Sequence, residues 1–133
     1  MINNIFDSHA HYDDEQFDGD RDKLIASLPS KGVCAVINCA SDLKSSATSA
    51  ELSEKYPFFW CACGIHPHEV EKELKNANIS EIEQKIIDFT KKEKCVAIGE
   101  IGLDYHYDFS PRELQKEIFE LQVKLSKELD LPV

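Results

Sequence analysis

Three short stretches carry the side chains best suited to gripping a cation: Asp7-Ser8-His9-Ala10-His11, His66-Pro67-His68, and Glu100. Successive side chains alternate faces in an extended strand, so His9 and His11 would project to one side roughly 6 to 7 Å apart, within reach of one ion. Taken alone, the pair also fits two solvent-facing or core histidines. Imidazole and carboxylate donors together suit a borderline metal such as zinc or manganese, and a carboxylate with two oxygens can bridge two ions. Glu100 is the natural bridge. Two cations about 3.5 to 4 Å apart can polarise a phosphoryl oxygen, lower the pKa of a water and stabilise a leaving oxygen.

These residues need elements that bring them together. His9 and His11 follow the apolar run Ile2–Phe6, the second His pair follows Phe58–Gly64, and Glu100 follows Cys95–Ile98. A fourth run, Val33–Ile37, is continuously apolar, as in a strand buried on both faces of a parallel sheet. Helical spacing appears between the runs. After the acidic loop 12–20, Leu24, Ile25 and Leu28 share a face, and Pro29 and Gly32 close that helix. Asp42 caps a second helix with Leu43, Ala47 and Ala50 on one stripe. The charged stretch 69–79 reads as a long loop, Ser80 to Glu83 as a capping box, and Ile82, Ile86 and Phe89 as a buried helix face. Ser110-Pro111-Arg112-Glu113 then opens a helix carrying Leu114, Ile118, Leu121 and Leu125. Leu131-Pro132-Val133 begins a fifth apolar run.

Strict alternation of strands and helices predicts a parallel α/β sheet with right-handed crossovers. No Gly-rich phosphate loop follows the first strand, which lowers the nucleotide-binding alternative. In α/β barrels chemistry sits on the loops at the carboxyl ends of the strands, and all five candidate residues fall there.

Composition narrows the function classes. The chain has 133 residues, one domain's worth, whereas a complete eight-stranded barrel typically needs about 250. Fifteen Lys and Arg stand against 25 Asp and Glu, a net charge of -10, which argues against a broad phosphate-coating surface but not against gripping a phosphate through metal ions. The five cysteines lie within apolar stretches, not in a disulfide scaffold, which implies a reducing compartment, the cytoplasm. Cys61-Ala62-Cys63 has the spacing to bind a soft metal, although burial of cysteine favours simple strand packing. No signal peptide is evident, and no run approaches the roughly 18 apolar residues of a membrane span.

Taken in order and spacing, Phe6-Asp7-Ser8-His9-Ala10-His11, Gly64-Ile65-His66-Pro67-His68 and Gly99-Glu100-Ile101-Gly102-Leu103-Asp104-Tyr105 resemble the N-terminal half of the TatD family. These metal-dependent hydrolases form a branch of the amidohydrolase-like barrels associated with deoxyribonuclease activity. The resemblance covers essentially the whole chain. It implies parallel strands alternating with helices, equivalent to the first half of a TIM (β/α)8 barrel, with residues 1–133 as one incomplete domain of four strand-helix units and the start of a fifth strand.

It also implies a site. His9 and His11 would ligate one metal, and Glu100 would be shared between two divalent ions, drawn from Mg, Mn and Zn. Glu100 and His66 would be catalytic, with His66 and His68 holding the phosphate of a DNA substrate, tested first as a single-stranded end. Metal-activated water would attack phosphorus. Asp7 would orient a ligand imidazole by accepting its other ring proton. Asp104 and Tyr105 fit loop anchors as well as substrate contacts, and His106 is expected on a solvated loop.

The family supplies further ligands from strands that would lie beyond Val133. A truncated chain, a broken gene product or a half that pairs with another copy would each account for this, and open sheet edges favour self-association. Two other readings remain: amide or deamination chemistry on the same ligands, and a non-catalytic fragment with an incomplete metal site.

Overall fold

A computed structural model describes residues 3 to 133, so the expected start of the first strand at Ile2 lies outside the described residues. Four parallel strands, β1 (Ile5–Ala10), β2 (Val33–Cys39), β3 (Phe59–Cys63) and β4 (Cys95–Ile98), pair in chain order. Five helices separate or follow them: α1 (Arg21–Ser27), α2 (Leu43–Lys55), α3 (Val70–Asn76), α4 (Ile79–Thr90) and α5 (Arg112–Leu129). Sequential order is that of a barrel being wound, whereas a doubly wound sheet reverses direction at a switch point. The apolar run after α5 has docked beside β4, where the Ile98 amide donates to the Pro132 carbonyl at 2.9 Å. Among the described residues no helix is long and apolar enough to cross a membrane.

The core lies between the helices and one face of the sheet. Ile25, Leu28, Val36, Leu52 and Phe59 form one cluster, and Ile65, Ile82, Ile86, Ile98, Ile118 and Leu125 belong to another. Each fully buried Ile or Phe contributes about 1.5 to 3 kcal/mol by leaving water. The strands are not buried on both faces, contrary to the reading of Val33–Ile37. Alternate side chains Phe6, Ala35, Ile37, Trp60 and Val96 line an open apolar surface, with Phe6 55% exposed.

Helix boundaries follow local chemistry, with four departures from the sequence reading. Within 69–79, read as a long loop with room for one helical turn, residues 70–76 form the two-turn helix α3, anchored by the buried Val70 and Glu73. The capping box of α4 is formed by Asn78 and Glu81, whose side chains each accept the other's backbone N–H, and not by Ser80 and Glu83. Ser110 does not cap α5; its hydroxyl donates to the His68 carbonyl and accepts the Glu71 amide, tying the start of α5 to the turn after β3. Asp42 does cap α2 and Leu43 and Ala50 are buried on it as expected, but Ser46, Ser49 and Ser53 fill much of the rest of the buried stripe, and Ala47 is only half-buried. The end of α1 closes as expected, through a 3-10 turn at Pro29–Lys31 and a left-handed Gly32.

The buried face of α5 carries two glutamines that stitch it to the site. Gln122 is fully buried; its side-chain oxygen accepts the Ile65 amide at 2.7 Å and its nitrogen donates to the Ile65 carbonyl at 3.1 Å. That contact needs a glycine next door. A Cβ at Gly64 would stand 2.8 Å from the Gln122 oxygen and 3.0 Å from the Gly99 backbone. Gly64→Ala is therefore expected to destabilise the chain by about 1 to 3 kcal/mol through overpacking. Urea unfolding measures this, and an unchanged midpoint would contradict the close approach.

Candidate metal centre

The exits of β2, β3 and β4 are laced together by their own backbones. The Glu100 amide donates to the Ala40 carbonyl at 2.8 Å, the Gly99 amide to Cys63 at 3.1 Å, and the His66 amide to Ser41 at 2.8 Å. These bonds fix where each side chain leaves the sheet. On β1, the ladder to β2 shifts register between Asp7 and Ala10, and His9 and His11 leave it with ring centroids 5.0 Å apart.

Three imidazoles surround one carboxylate. Glu100 Oε2 lies 3.5 Å from His9 Nε2 and 3.9 Å from His11 Nε2, while Oε1 lies 4.0 Å from His66 Nε2. The donor atoms of His9, His11 and Glu100 all fall within 4.8 Å of one another. Two ligands at about 2.0 to 2.2 Å from a tetrahedral cation stand about 3.4 Å apart, so the spacing fits a shared ion better than a direct hydrogen bond.

Hydrogen bonding to the other ring nitrogens gives the histidines different characters. His11 Nδ1 lies 2.7 Å from the Cys39 carbonyl, which can only accept, so Nδ1 carries a proton and, in the neutral ring, the Nε2 lone pair faces Glu100. A lone pair and a carboxylate oxygen aimed at one another repel unless a cation or proton sits between them. His66 is the converse. Its Nδ1 accepts the His68 amide at 3.2 Å, which leaves the proton of the neutral ring on Nε2, pointing into the site. Burial holds the His66 pKa below the ordinary histidine value, with Glu100 only partly opposing it, so the ring stays neutral.

His68 is engaged elsewhere. Its Nε2 is hydrogen bonded to Asp104 Oδ2, and its ring packs edge-on against Phe109 and Tyr107, with centroids 4.8 and 5.6 Å away. Asp104 is a loop anchor: its other oxygen accepts the amides of His106 and Tyr107, and Gln115 holds its own amide and carbonyl. Burial alone would raise the Asp104 carboxyl, but those two amides and His68 outweigh it and hold the pKa below the usual 3.8. Tyr105 lies under the Arg112 guanidinium, 4.5 Å from its ring centre, and His106 is exposed as expected. Asp7 departs from its expected role. Its carboxylate accepts the His9 backbone amide at 3.3 Å, and the Cys39 carbonyl takes the ring proton instead.

Several positioning groups were missed by sequence reasoning. The Cys39 carbonyl leaves no side-chain signature at all. Gln115 and Gln122 do leave one, as polar residues seven apart on an apolar helix face, and so does Asn38 within an apolar strand. The fully buried Asn38 side chain accepts the Tyr12 amide and donates to Asp13 and Ser49, which holds the chain just after His11. A cleft of about 500 Å³ opens beside the centre, with His9, Glu100, Cys39, Ile101 and Pro132 among its walls.

A parallel strand-helix array wound in barrel order, with imidazoles and a carboxylate converging at its carboxyl end, defines half of a (β/α)8 barrel. The chain belongs to the TatD family, since the family model described as TatD related DNase matches residues 6–133. It is 36% identical over 129 residues to the uncharacterized metal-dependent hydrolase YabD of Bacillus subtilis, covering 97% of this chain and 49% of that protein. To the 3'-5' ssDNA/RNA exonuclease TatD of Escherichia fergusonii it is 32% identical, covering 97% of this chain and 48% of the relative. The crystal structure of YjjV, a TatD homolog from Escherichia coli, superposes with a TM-score of 0.81 at 30% identity, over 100% of this chain and 50% of that one. A TatD family hydrolase from Entamoeba histolytica shares the fold, with a TM-score of 0.79 at 23% identity over 96% of this chain and 47% of its own. The chain thus spans about half the length of the relatives it matches.

The depressed Asp104 pKa has a pH signature. A carboxylate whose folded pKa lies below its unfolded value contributes stability above the unfolded value and loses it as pH falls through the folded one. Asp104→Asn is expected to lower the urea midpoint at neutral pH, and the gap should close as pH falls below 3.8. A gap of constant size down to acid pH would contradict the assignment.

Proposed function

We propose that residues 1–133 form one incomplete barrel domain that supplies one wall of a two-metal site for hydrolysing phosphodiester bonds in DNA, acting at a single-stranded end. The observation that carries this reading is the pair of lone-pair donors, His11 Nε2 and Glu100 Oε2, facing each other 3.9 Å apart with His9 beside them. In this reading His9 and His11 hold one divalent cation and Glu100 is shared with a second, Mg, Mn or Zn. Cations bound there supply Lewis acidity toward a phosphoryl oxygen and lower the pKa of water.

The chain's own residues supply orientation. His66 presents its Nε2–H to a phosphate oxygen, and because burial keeps the ring neutral it donates without releasing its proton. His68, held by Asp104, keeps His66 in that tautomer through its backbone amide. The name of the Escherichia fergusonii relative, a 3'-5' exonuclease on single-stranded DNA and RNA, supports the substrate class. A net charge of -10 supports contact with one strand end in place of a long duplex groove. Five free cysteines support the cytoplasm as its location. The open face of Phe6, Ile37 and Trp60 supports self-association with a second copy.

Manganese titration by calorimetry, run beside cleavage of an end-labelled single-stranded oligonucleotide, tests the site. Binding tighter than about 1 μM with stepwise nucleotide release is expected, both lost with EDTA. Glu100→Gln should weaken binding and cut the rate by about 100-fold or more, whereas His66→Ala should slow cleavage and leave metal affinity unchanged. Turnover of cyclic amides without nuclease activity would favour the amidohydrolase alternative, and absence of both binding and cleavage would make this an inert fragment. For the second copy, light scattering should give a dimer mass, and a monodisperse monomer would refute it.

A further inference from the structure

A second cluster of donor side chains lies on the opposite side of the sheet, between β3 and β4 and the helices that cover them. Cys61 and Cys63 are two apart on β3 and so share a face, and Cys95 opens β4 in register with Cys61. All three are free thiols and buried, with Cys61 and Cys63 at 0% exposure. Their sulfurs lie within 4.8 Å of one another, and those of Cys61 and Cys63 are 3.8 Å apart. Three sulfurs in a plane around one cation, each at about 2.3 Å, stand about 4.0 Å apart. The existing triangle therefore needs to close by less than about 1 Å.

We propose that Cys61, Cys63 and Cys95 form a three-coordinate thiolate site for a soft monovalent cation of the copper(I) type, separate from the His9 centre. Thiolate-only donors select soft ions. Structural zinc takes four ligands, and among the described residues no fourth His, Cys, Asp or Glu donor joins the triangle. The surroundings exclude water and carry few charges: the Ala50 methyl and the Phe89 ring pack on the sulfurs. The facing side of α2 places the Ser53 hydroxyl 3.8 Å from the Cys61 sulfur, and the Ser46 carbonyl lies 3.7 Å from that of Cys63. The Ser53 hydroxyl sits where an ordinary sheet-helix interface carries an aliphatic side chain.

Loading the site is an exchange of protons for a cation. The cation binds the three sulfurs and displaces their thiol protons to solvent. No electrons move and each sulfur keeps its oxidation state. Affinity accordingly rises with pH.

Anaerobic titration of the chain with copper(I) against a chelating competitor, followed by X-ray absorption of the one-equivalent product, tests the site. One tightly held equivalent with three sulfur neighbours at about 2.3 Å is expected. Cys63→Ser and Cys95→Ser should each lose about 100-fold or more in affinity, while Cys34→Ser should bind as the unsubstituted chain does. Because a buried serine can unfold this layer, the absorption spectrum of the unsubstituted chain decides independently of the variants. Nitrogen neighbours, two sulfurs in place of three, full affinity in a folded Cys63→Ser chain, or no bound equivalent would each overturn the proposal.

Discussion

Everything at the carboxyl end of the sheet depends on three backbone hydrogen bonds that run sideways from one strand exit to the next. Loops leaving parallel strands are ordinarily independent, and a site assembled from three of them would lose its geometry to their separate motions. Here the amides of His66 and Gly99 are spent on the neighbouring exits, at Ser41 and Cys63, and that of Glu100 reaches past β3 to Ala40. Because these donors belong to the motif residues themselves, the side chains have little freedom to drift. The same economy appears at His11, where a backbone carbonyl fixes the tautomer and leaves the side chains of the site free for a cation.

Much of this was legible in the sequence. Apolar runs at regular intervals marked the parallel sheet, and His9, His11, His66 and Glu100, each just past such a run, are side chains that the fold gathers at one place. Periodicity identifies an element by its buried face, so it succeeds where that face is aliphatic, as at Ile82 and Ile86. It misleads at α2, where serines occupy the buried stripe. The short helix α3 was hidden by its charge, since seven residues bury only Val70 and Glu73 and leave no periodic signal. The open face of β2 was hidden for a different reason: a run of Val and Ile reports affinity for a neighbour, not whether that neighbour lies within the same 133 residues.

The roles of the two His-x-His-like stretches could not be separated by residue type. Both place histidines two apart at the carboxyl end of a strand, yet one pair exposes a lone pair and the other an N–H. The difference lies wholly in what the far ring nitrogen touches: a carbonyl for His11, an amide for His66. Asp104 likewise looks like a site residue in the motif, but its oxygens are consumed by His68 and by two loop amides.

Gly64 and Gln122 stand 58 positions apart in sequence and share one small volume, with the glutamine amide occupying the space a side chain at 64 would need. Drift at the two positions is therefore ordered in time. A lineage that gains a side chain at 64 must already have shortened residue 122, yet shortening 122 first strands both backbone groups of Ile65. Neither single step is neutral, so the pair should be inherited together even in descendants in which Glu100 itself has been replaced.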